Sequence, residues 1–423
     1  MSVQPLLPVE IPKGKILYAQ GVRAGRWVFA TGHLATDFQN GLAPAVLSAR
    51  LPRYGKPKTQ REAQLIFDHL KAVLAAGGTE LRNVVRLDQY YPTWKAVDPY
   101  HVVRRATFGD YIPPSTSVLQ KRLLFPEAEI EVQMMAILPQ GPFAVTPLRP
   151  GDVTVPPTSG FTPVITAGDY VFVAGQMATD ASGIPEEART HTGQLWGGTQ
   201  IKRETEYIIR RRLEPALQAA KSSLAGVVKA QIYMSNVDDF PGFNEVWSRY
   251  FPKDPPVTTL VPTQGFGRLE GTIEINVIAL TDGARTRREI VATDVFTGYD
   301  NQSVAIKAGD LLLISGLMAI DESGLVPEAE VDPRQPHFGS SIQAQMERIL
   351  DGASRICRAA GTSLENAVRI QQFHTDLSDF YGAYQVWQRH LPGHPLPFSA
   401  VEVPSPMPVP GATVILDLWV HAP

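Results

Sequence analysis

The stretch Val171-Phe-Val-Ala-Gly175-Gln-Met-Ala-Thr-Asp180 decides the reading of this chain, because a version of it is written three times. The others are Phe29-Ala-Thr-Gly32-His-Leu-Ala-Thr-Asp37 and Leu312-Leu-Ile-Ser-Gly316-Leu-Met-Ala-Ile-Asp321. The central glycines are 143 and then 141 residues apart. Solenoid units repeat every ~20–50 residues, whereas this period is the length of a whole small domain. The 423 residues therefore read as three fused copies of one fold, spanning 1–140, 141–282 and 283–423.

Each copy repeats more than the glycine segment. A β-hairpin opens it, turning at Ala24-Gly25-Arg26, Ala167-Gly168-Asp169 and Ala308-Gly309-Asp310, where glycine supplies the positive φ of a tight turn. Amphipathic helices follow near 59–77, 199–220 and 341–360, with Pro215 expected to kink or end the second. Leu81 to Arg86, Leu224 to Lys229 and Leu364 to Arg369 lead into strands at 87–91, 230–234 and 370–374. Second helices lie near 97–108, 239–250 and 379–390. Two strands close each copy: 116–123 with 129–138, 257–262 with 272–280, and 399–403 with 413–421. The order is ββαβαββ, an α+β class. Helices on one face leave the other face of each sheet apolar and bare. Three copies can bury those faces around a shared axis, as an intramolecular pseudo-trimer. Residues near 139–160 and 281–300 connect the copies, and the first segment, through Pro156-Pro157, has linker character.

Composition narrows the function classes. The formal charge is −3 without long charge runs, which argues against nucleic acid and anionic membranes as partners. The N-terminal residues lack a signal-peptide pattern and no stretch reaches ~18 apolar residues, so a soluble cytoplasmic protein is expected. The single cysteine, Cys357, lies on the helical stripe Ile342, Met346, Ile349, Ala353, Ile356 and reads as a core thiol. Nine histidines are scattered, and only His390-Leu-Pro-Gly-His394 has ligand-like spacing, broken by Pro392 and Gly393. No metal and no cofactor are expected.

Tyr18-Ala-Gln-Gly-Val, the small-residue–glycine turn, the Asn83-Val-Val-Arg86 strand entry, Asp239-Phe240 and Ile273-Glu-Ile resemble the Rid (reactive intermediate deaminase, YjgF-like) family. The resemblance covers nearly the whole chain. It implies a chorismate-mutase-like fold, a trimeric arrangement with clefts between neighbouring units, and hydrolysis of amino-acid imines and enamines to ammonia and keto acids. It also implies an arginine that grips the substrate carboxylate with its forked guanidinium. The matching positions here are Ser115, Val257 and Phe398, so no copy keeps that arginine. The family's water-positioning glutamate maps to Glu131 and Glu274, with Ile415 in the third copy. A cleft tyrosine maps to Tyr18, Phe161 and Gln302, and a helical asparagine to Asn244, with His101 and Tyr384 as counterparts. The residues before the glycines are Thr31, Ala174 and Ser315, and those two beyond the lost arginine are Ser117, Thr259 and Ala400.

The candidate catalytic residues are thus Glu131, Glu274, Tyr18 and His33. A carboxyl group in an apolar cleft has a raised pKa and can move protons to and from water. Tyr18 could donate to a substrate atom, or serve as an interface aromatic. His33 adjoins the Gly32 backbone, as a general acid–base or a polar interface residue. Candidate binding residues are Thr31, Gly32, His101, Ser115, Ser117, Gly175, Asn244 and Thr259. His374 is expected to face solvent. The expected activity is hydrolysis of a small molecule's C–N bond, imine, enamine or amide-type, by glutamate-activated water in an inter-domain cleft. The alternative is a non-catalytic ligand-binding or regulatory protein. A third reading, a chorismate-cleaving type of chemistry, needs cations such as Lys121 and Arg122. The expected partner is a small-molecule substrate, and higher homo-oligomers are compatible with the pattern.

Overall fold

The computed structural model describes residues 3–47, 55–141, 143–156, 158–190, 198–332, 334, 337 and 339–423. Each copy contributes a mixed sheet, and its hairpin turns at a glycine of positive φ: +55° at Gly25, +60° at Gly168 and +61° at Gly309. In the first copy the sheet runs Gln4–Ile11, Ile16–Ala24, Trp27–His33, Glu131–Ile137, Val84–Tyr91, Ser115–Leu119. In the second the order is Val257–Pro262, Val227–Met234, Ile273–Leu280, Tyr170–Met177, Val164–Ala167, Val145–Leu148. The third runs Arg288–Ile290, Ala305–Ala308, Leu311–Ile314, Val414–His421, Ala367–His374, Phe398–Glu402. Every copy therefore carries one strand more than the ββαβαββ pattern, laid on the outer edge of its hairpin. Two of these strands, Val145–Leu148 and Arg288–Ile290, come from the connecting segments read as linkers. Pro142 and Pro157 of the first connection lie outside the described residues.

Helices cover one face of each sheet. Lys58–Ala76 buries Ala63, Ile66, Phe67, Leu70, Val73 and Leu74, and Ser341–Ala359 buries Ile342, Met346, Ile349, Leu350, Ala353, Ile356 and Cys357. Burial pushes the Cys357 thiol up to about 12, so it is an inert part of that core. The helix of the second copy does not stop at Pro215. It runs Gln200–Tyr207, continues as a π-helical turn over Ile208–Leu213, and ends with Glu214–Ala219. Proline lacks the N–H for the bond to the fourth preceding carbonyl, and the wider turn just ahead of it absorbs that loss. A repeated latch fixes each first helix to the last strand. Glu62 accepts from Glu129 N at 2.8 Å, Glu204 from Thr272 N at 2.8 Å, and Gln345 from Thr413 N at 2.9 Å. The glutamine shows that this position requires an acceptor and not a charge.

The other faces close on one another. One apolar cluster draws Trp27, Phe29 and Met135 from the first copy, Tyr170, Phe172 and Ile278 from the second, and Leu311, Leu313 and Trp419 from the third. Sheet edges are also shared. Gly265–Phe266 of the second copy pairs with Val118 and Leu119 of the first, and Arg122–Leu123 of the first with Val401 and Glu402 of the third. These exchanges cover strand edges that would otherwise be open to association. Lys121 and Arg122 reach Glu402 at 2.6 and 3.6 Å and serve this seam. No helix of the described residues is long and apolar enough to cross a membrane.

Beside that shared core lies a buried polar cluster. Register places Arg86, Lys229 and Arg369 at one equivalent position, opposite Met135, Ile278 and Trp419. Arg86 donates to Asp88 at 2.9 Å, to Asn276 at 2.8 Å and to Gln231 at 2.5 Å. Lys229 donates to Thr259 at 2.7 Å, to the Ile314 carbonyl at 2.8 Å and to Asp417 at 2.6 Å. Arg369 binds Asp417 and Gln371, and Asp88 at 3.2 Å. Burial alone would raise the Asp417 pKa, but Lys229 and Arg369 outweigh it and hold the carboxyl at about 2. Breaking a buried ion pair from one side leaves charge without a partner, which costs about 3–5 kcal/mol, whereas apolar replacement of a whole pair is often neutral. Asp417→Ala is therefore expected to lower unfolding free energy in urea by about 3–5 kcal/mol, and adding Lys229→Met to recover only part of that, because Arg369 still loses a partner.

Candidate functional site

Strand register fixes which residues of the three copies are equivalent. Glu131 faces Tyr90, Glu274 faces Tyr233 and Ile415 faces Phe373, so these three occupy one position. In the parallel pairs, Leu87 lies beside Ser115, Ala230 beside Thr258 and Ile370 beside Phe398. The residue of the second copy equivalent to Ser115 and Phe398 is thus Thr258, one residue beyond Val257, and the position two further on is Leu260 and not Thr259. Thr259 takes a hydrogen bond from Lys229 and donates to Asp417 at 2.9 Å, so it belongs to the buried polar cluster. Alternation along the strand puts consecutive residues on opposite faces, and a slip of one exchanges cleft for core. Hairpin register also aligns Tyr18, Phe161 and Gln302, three residues before Gly21, Val164 and Ala305.

Gly32 and Gly175 lie in strands and not in turns, and Gly316 lies two residues beyond the strand Leu311–Ile314. The register jumps between Ala30 and His33 and between Val173 and Gln176, which marks irregularities spanning Gly32 and Gly175. Their missing side chain leaves room for the glutamate of the neighbouring strand. A Cβ at Gly175 would lie 1.8 Å from Glu274 Oε1, and one at Gly32 2.5 Å from Glu131 Oε1. At Gly316 the nearest atoms are methyl groups of Ile415 and Thr259, at 3.1 and 3.2 Å.

Glu131 stands where the first copy meets the third, and its surroundings are filled. Ser399 Oγ donates to Glu131 Oε1, and Gln133 Nε2 donates to the same oxygen at 3.3 Å. Phe398 packs against Tyr18 at 5.8 Å, Phe380 at 5.1 Å and Tyr384 at 6.3 Å between ring centres. Tyr384 Oη also accepts from Leu17 N at 2.6 Å, which ties down the strand that carries Tyr18. Thr31 donates to the carbonyls of Ala19 and Gln20, at 3.2 and 3.0 Å. It lines a void of about 20 Å³ together with Ser399 and Gln133, too small for a substrate. Burial pushes Glu131 up to about 7, with Ser399, Gln133 and Arg369 pulling against it.

The junction of the second and third copies holds a cavity of about 70 Å³ between Thr258, Leu260, Tyr299, Gln302, Gly316 and Ile415. Thr258 is bonded to Tyr299 and Gln302, and no carboxylate lines the space.

The junction of the first and second copies is open. Its cavity measures about 520 Å³. The helix Val97–Phe108 supplies His101, and the strand Ser115–Leu119 supplies Ser115 and Ser117 on alternate positions. The second copy contributes Phe161, Gly175, Met177, Thr179, Arg212, Arg268 and Glu274. Thr154, Val155, Pro156, Thr158 and Ser159, from the connection between the copies, complete the wall. Ser159 is held there by Arg104, whose Nη2 donates to its carbonyl at 2.6 Å and to its hydroxyl at 2.9 Å. Glu274 is 5 % exposed and burial pushes its pKa up to about 8, against one backbone bond from Ser117 and with a further rise from Asp88. It is thus a neutral carboxylic acid at pH 7. His101 is 7 % exposed and neither ring nitrogen has a partner among the described residues. Burial, with Arg104 and Arg105 nearby, depresses its pKa to about 3 and keeps the imidazole neutral.

Other candidates lie elsewhere. His33 is 6 % exposed, its Nε2 lies 2.9 Å from the Gln20 carbonyl, and burial depresses it to about 4. Asn244 is not on the wall of the large cavity, and its Oδ1 is buried without a partner among the described residues. His374, expected in solvent, is fully buried against Phe380, because the strand Ala367–His374 is covered on both faces. His390 pairs with Glu347 at 2.8 Å. Among the described residues no group of three or more His, Cys, Asp or Glu is placed to hold a metal ion. Arg212 and Arg268 were not foreseen. A sequence signal existed for Arg212, which falls in register with Ile201, Thr205, Ile208 and Ala216 on the buried stripe of its helix.

The family model described as Endoribonuclease L-PSP matches residues 11–138, 153–281 and 292–415. A RutC family protein of Pyrococcus abyssi is 32% identical over 123 residues, 29% of this chain and 87% of that protein. Another, of Saccharolobus solfataricus, is also 32% identical over 123 residues, 29% of this chain and 88% of its own length. Among solved structures, yeast Mmf1 is 22% identical over 33% of this chain and 99% of that one, with a TM-score of 0.27. RidA from an Antarctic Psychrobacter is 22% identical over 30% and 94%, with a TM-score of 0.25.

Adding a methyl group at Gly175 must displace the Glu274 carboxyl. Gly175→Ala is expected to move the Glu274 pKa away from about 8, followed by ¹³C NMR of labelled glutamate, with the fold retained. Gly316→Ala, which meets only methyl groups, is expected to leave that titration unchanged.

Proposed function

The chain belongs to the Endoribonuclease L-PSP family, of which it carries three tandem Rid copies, and on that premise we propose that it hydrolyses a C–N bond of a small molecule in the cleft between its first and second copies. The observation that carries this reading is Glu274, a buried neutral carboxylic acid on the wall of a cavity of about 520 Å³. A pKa near the working pH suits a group that must both give and take a proton. On an imine, Glu274 donates its proton to nitrogen and so makes the carbon electrophilic. The resulting carboxylate takes a proton from water as the oxygen adds to that carbon. The carbinolamine then collapses, nitrogen leaves as ammonia after a second protonation, and a carbonyl compound remains. His101 lines the same cavity as a neutral imidazole, and its ring nitrogens are buried without a partner among the described residues. An amide-type substrate needs the same two proton transfers.

The geometry ranks the two glutamates. Glu131 has one oxygen occupied by Ser399 and Gln133 and is 1 % exposed, so its role in this reading is structural. The formal charge of −3 and a cleft of about 520 Å³ favour a small molecule over RNA, the substrate that the family's description names. The absence of arginine at Ser115, Thr258 and Phe398 favours the second reading, a ligand-binding protein without turnover.

A panel of imines, enamines and small amides tests the two. Glu274→Gln is expected to reduce kcat/KM at least about a hundredfold, the usual scale for a lost general acid–base, and Glu131→Gln to leave it within a few-fold. Turnover that survives Glu274→Gln overturns the catalytic reading, and binding without turnover in the parent establishes the second. Activity that needs the acid form is expected to fall as pH rises through about 8. Stability gives an independent check. The folded-state pKa is raised from the ordinary carboxyl value of 4.5 to about 8, so this group's contribution is complete below 4.5 and is lost as pH rises toward 8. In that window the parent is expected to lose about 1.4 kcal/mol per pH unit relative to Glu274→Gln, measured by urea unfolding.

A further inference from the structure

We propose that Arg212 is the anchor for an anionic group, a carboxylate, on the ligand of the cleft between the first and second copies. The proposal rests on that cleft being the ligand site. Its first-copy wall offers no cation, since Ser115 stands at the arginine position and His101 is neutral. The wall of the second copy supplies one instead. The π-helical turn Ile208–Leu213 carries Arg212 on the buried side of the helix, beside Ile208, Ile209 and Leu213, and the side chain lines the cavity. π-Helical turns are rare and concentrate at functional sites.

The guanidinium is built in but not satisfied. Arg212 is 5 % exposed, and among the described residues no carboxylate lies within ion-pair distance of it. Its Nε donates to Gln176 Oε1 at 3.1 Å and its Nη2 to the Thr154 carbonyl, which fixes the plane of the fork. Nη1 has no partner among the described residues. Burial lowers the Arg212 pKa, and Tyr207 and then Asp180 work against that without a salt-bridge contact. Asp180, which lines the same cavity, gives its Oδ1 to Ser182, whose N and Oγ both donate to it at 2.7 Å. Asp98 and Arg268 also line the cavity, Asp98 exposed at its mouth and Arg268 bonded to the Asp180 carbonyl at 3.1 Å. A buried charge without a counter-ion is costly to keep. A carboxylate entering the cavity supplies the missing charge, and an oriented fork with free N–H groups matches its two oxygens.

Benzoate and benzamide, equal in shape and different in charge, are the probes, titrated by calorimetry at pH 7 into the full chain. The parent is expected to bind benzoate about tenfold or more tighter than benzamide. Arg212→Gln is expected to abolish that preference, Arg212→Lys to keep part of it, and Arg268→Gln to keep most of it. A parent without the preference, including one that binds neither probe, overturns the proposal. So does a preference that survives Arg212→Gln, or one that Arg268→Gln alone removes. Glu274→Gln separates this inference from the reading it rests on. If turnover survives that change while the benzoate preference still depends on Arg212, the catalytic assignment fails and the anchor stands.

Discussion

Three cations must share one buried space for this chain to fold. The equivalent positions Arg86, Lys229 and Arg369 meet where the three sheets face one another, 6, 0 and 8 % exposed. Like charges in so dry a setting repel strongly unless acids and dipoles answer them. The answer is uneven. Asp88 occupies a central-strand position where the other copies have Gln231 and Gln371, and Asp417 a last-strand position where they have Gln133 and Asn276. Two acids from two different positions thus serve three cations, and amide oxygens take the remaining donors. An assembly of identical subunits has three or none of a residue at each position. Two of a kind is available only to copies that have diverged within one chain.

The same freedom separates the clefts. At one strand position, Phe398 joins Tyr18, Phe380 and Tyr384 in an aromatic plug, Thr258 binds Tyr299 and Gln302 beside a small apolar cavity, and Ser115 leaves its cleft open. Carboxyl surroundings follow the packing: Glu131 is bonded by Ser399 and Gln133, Ile415 is apolar, and Glu274 lines the large cavity. Burial raises both carboxyl groups, opposed at Glu131 by Ser399, Gln133 and Arg369 and at Glu274 by the Ser117 backbone alone. One strand position and one facing carboxyl therefore account for three unlike junctions.

Most of the fold was legible because its signals are local and repeated. The glycine segments set the period, the hairpin glycines take the positive φ that their turns require, and the helices fall within a residue or two of their apolar stripes. What could not be read depends on neighbours. The strands Val227–Met234 and Val257–Pro262 are buried on both faces, so no alternation marks their register, and Val257 was taken for Thr258. The edge strands Val145–Leu148 and Arg288–Ile290 exist because a hairpin offers them an edge, not because of their own composition. Glu131 and Glu274 look alike in sequence, and only the volume beside each tells them apart. Arg212 had a signal, a charge on an apolar stripe, but its meaning needed the cavity it lines.

The connection between the first two copies has a consequence for how this protein can change. Thr154, Pro156, Thr158 and Ser159 form part of the cavity wall, pinned by Arg104, Arg105 and Arg212. Connecting segments usually tolerate insertion and drift, since little depends on their path. Here a change in length would redraw the wall of the cavity. Free-standing subunits joined only by contact have no such segment to contribute. The covalent joint thus does more than hold three copies at equal numbers: it supplies a surface that separate polypeptides of this fold cannot make.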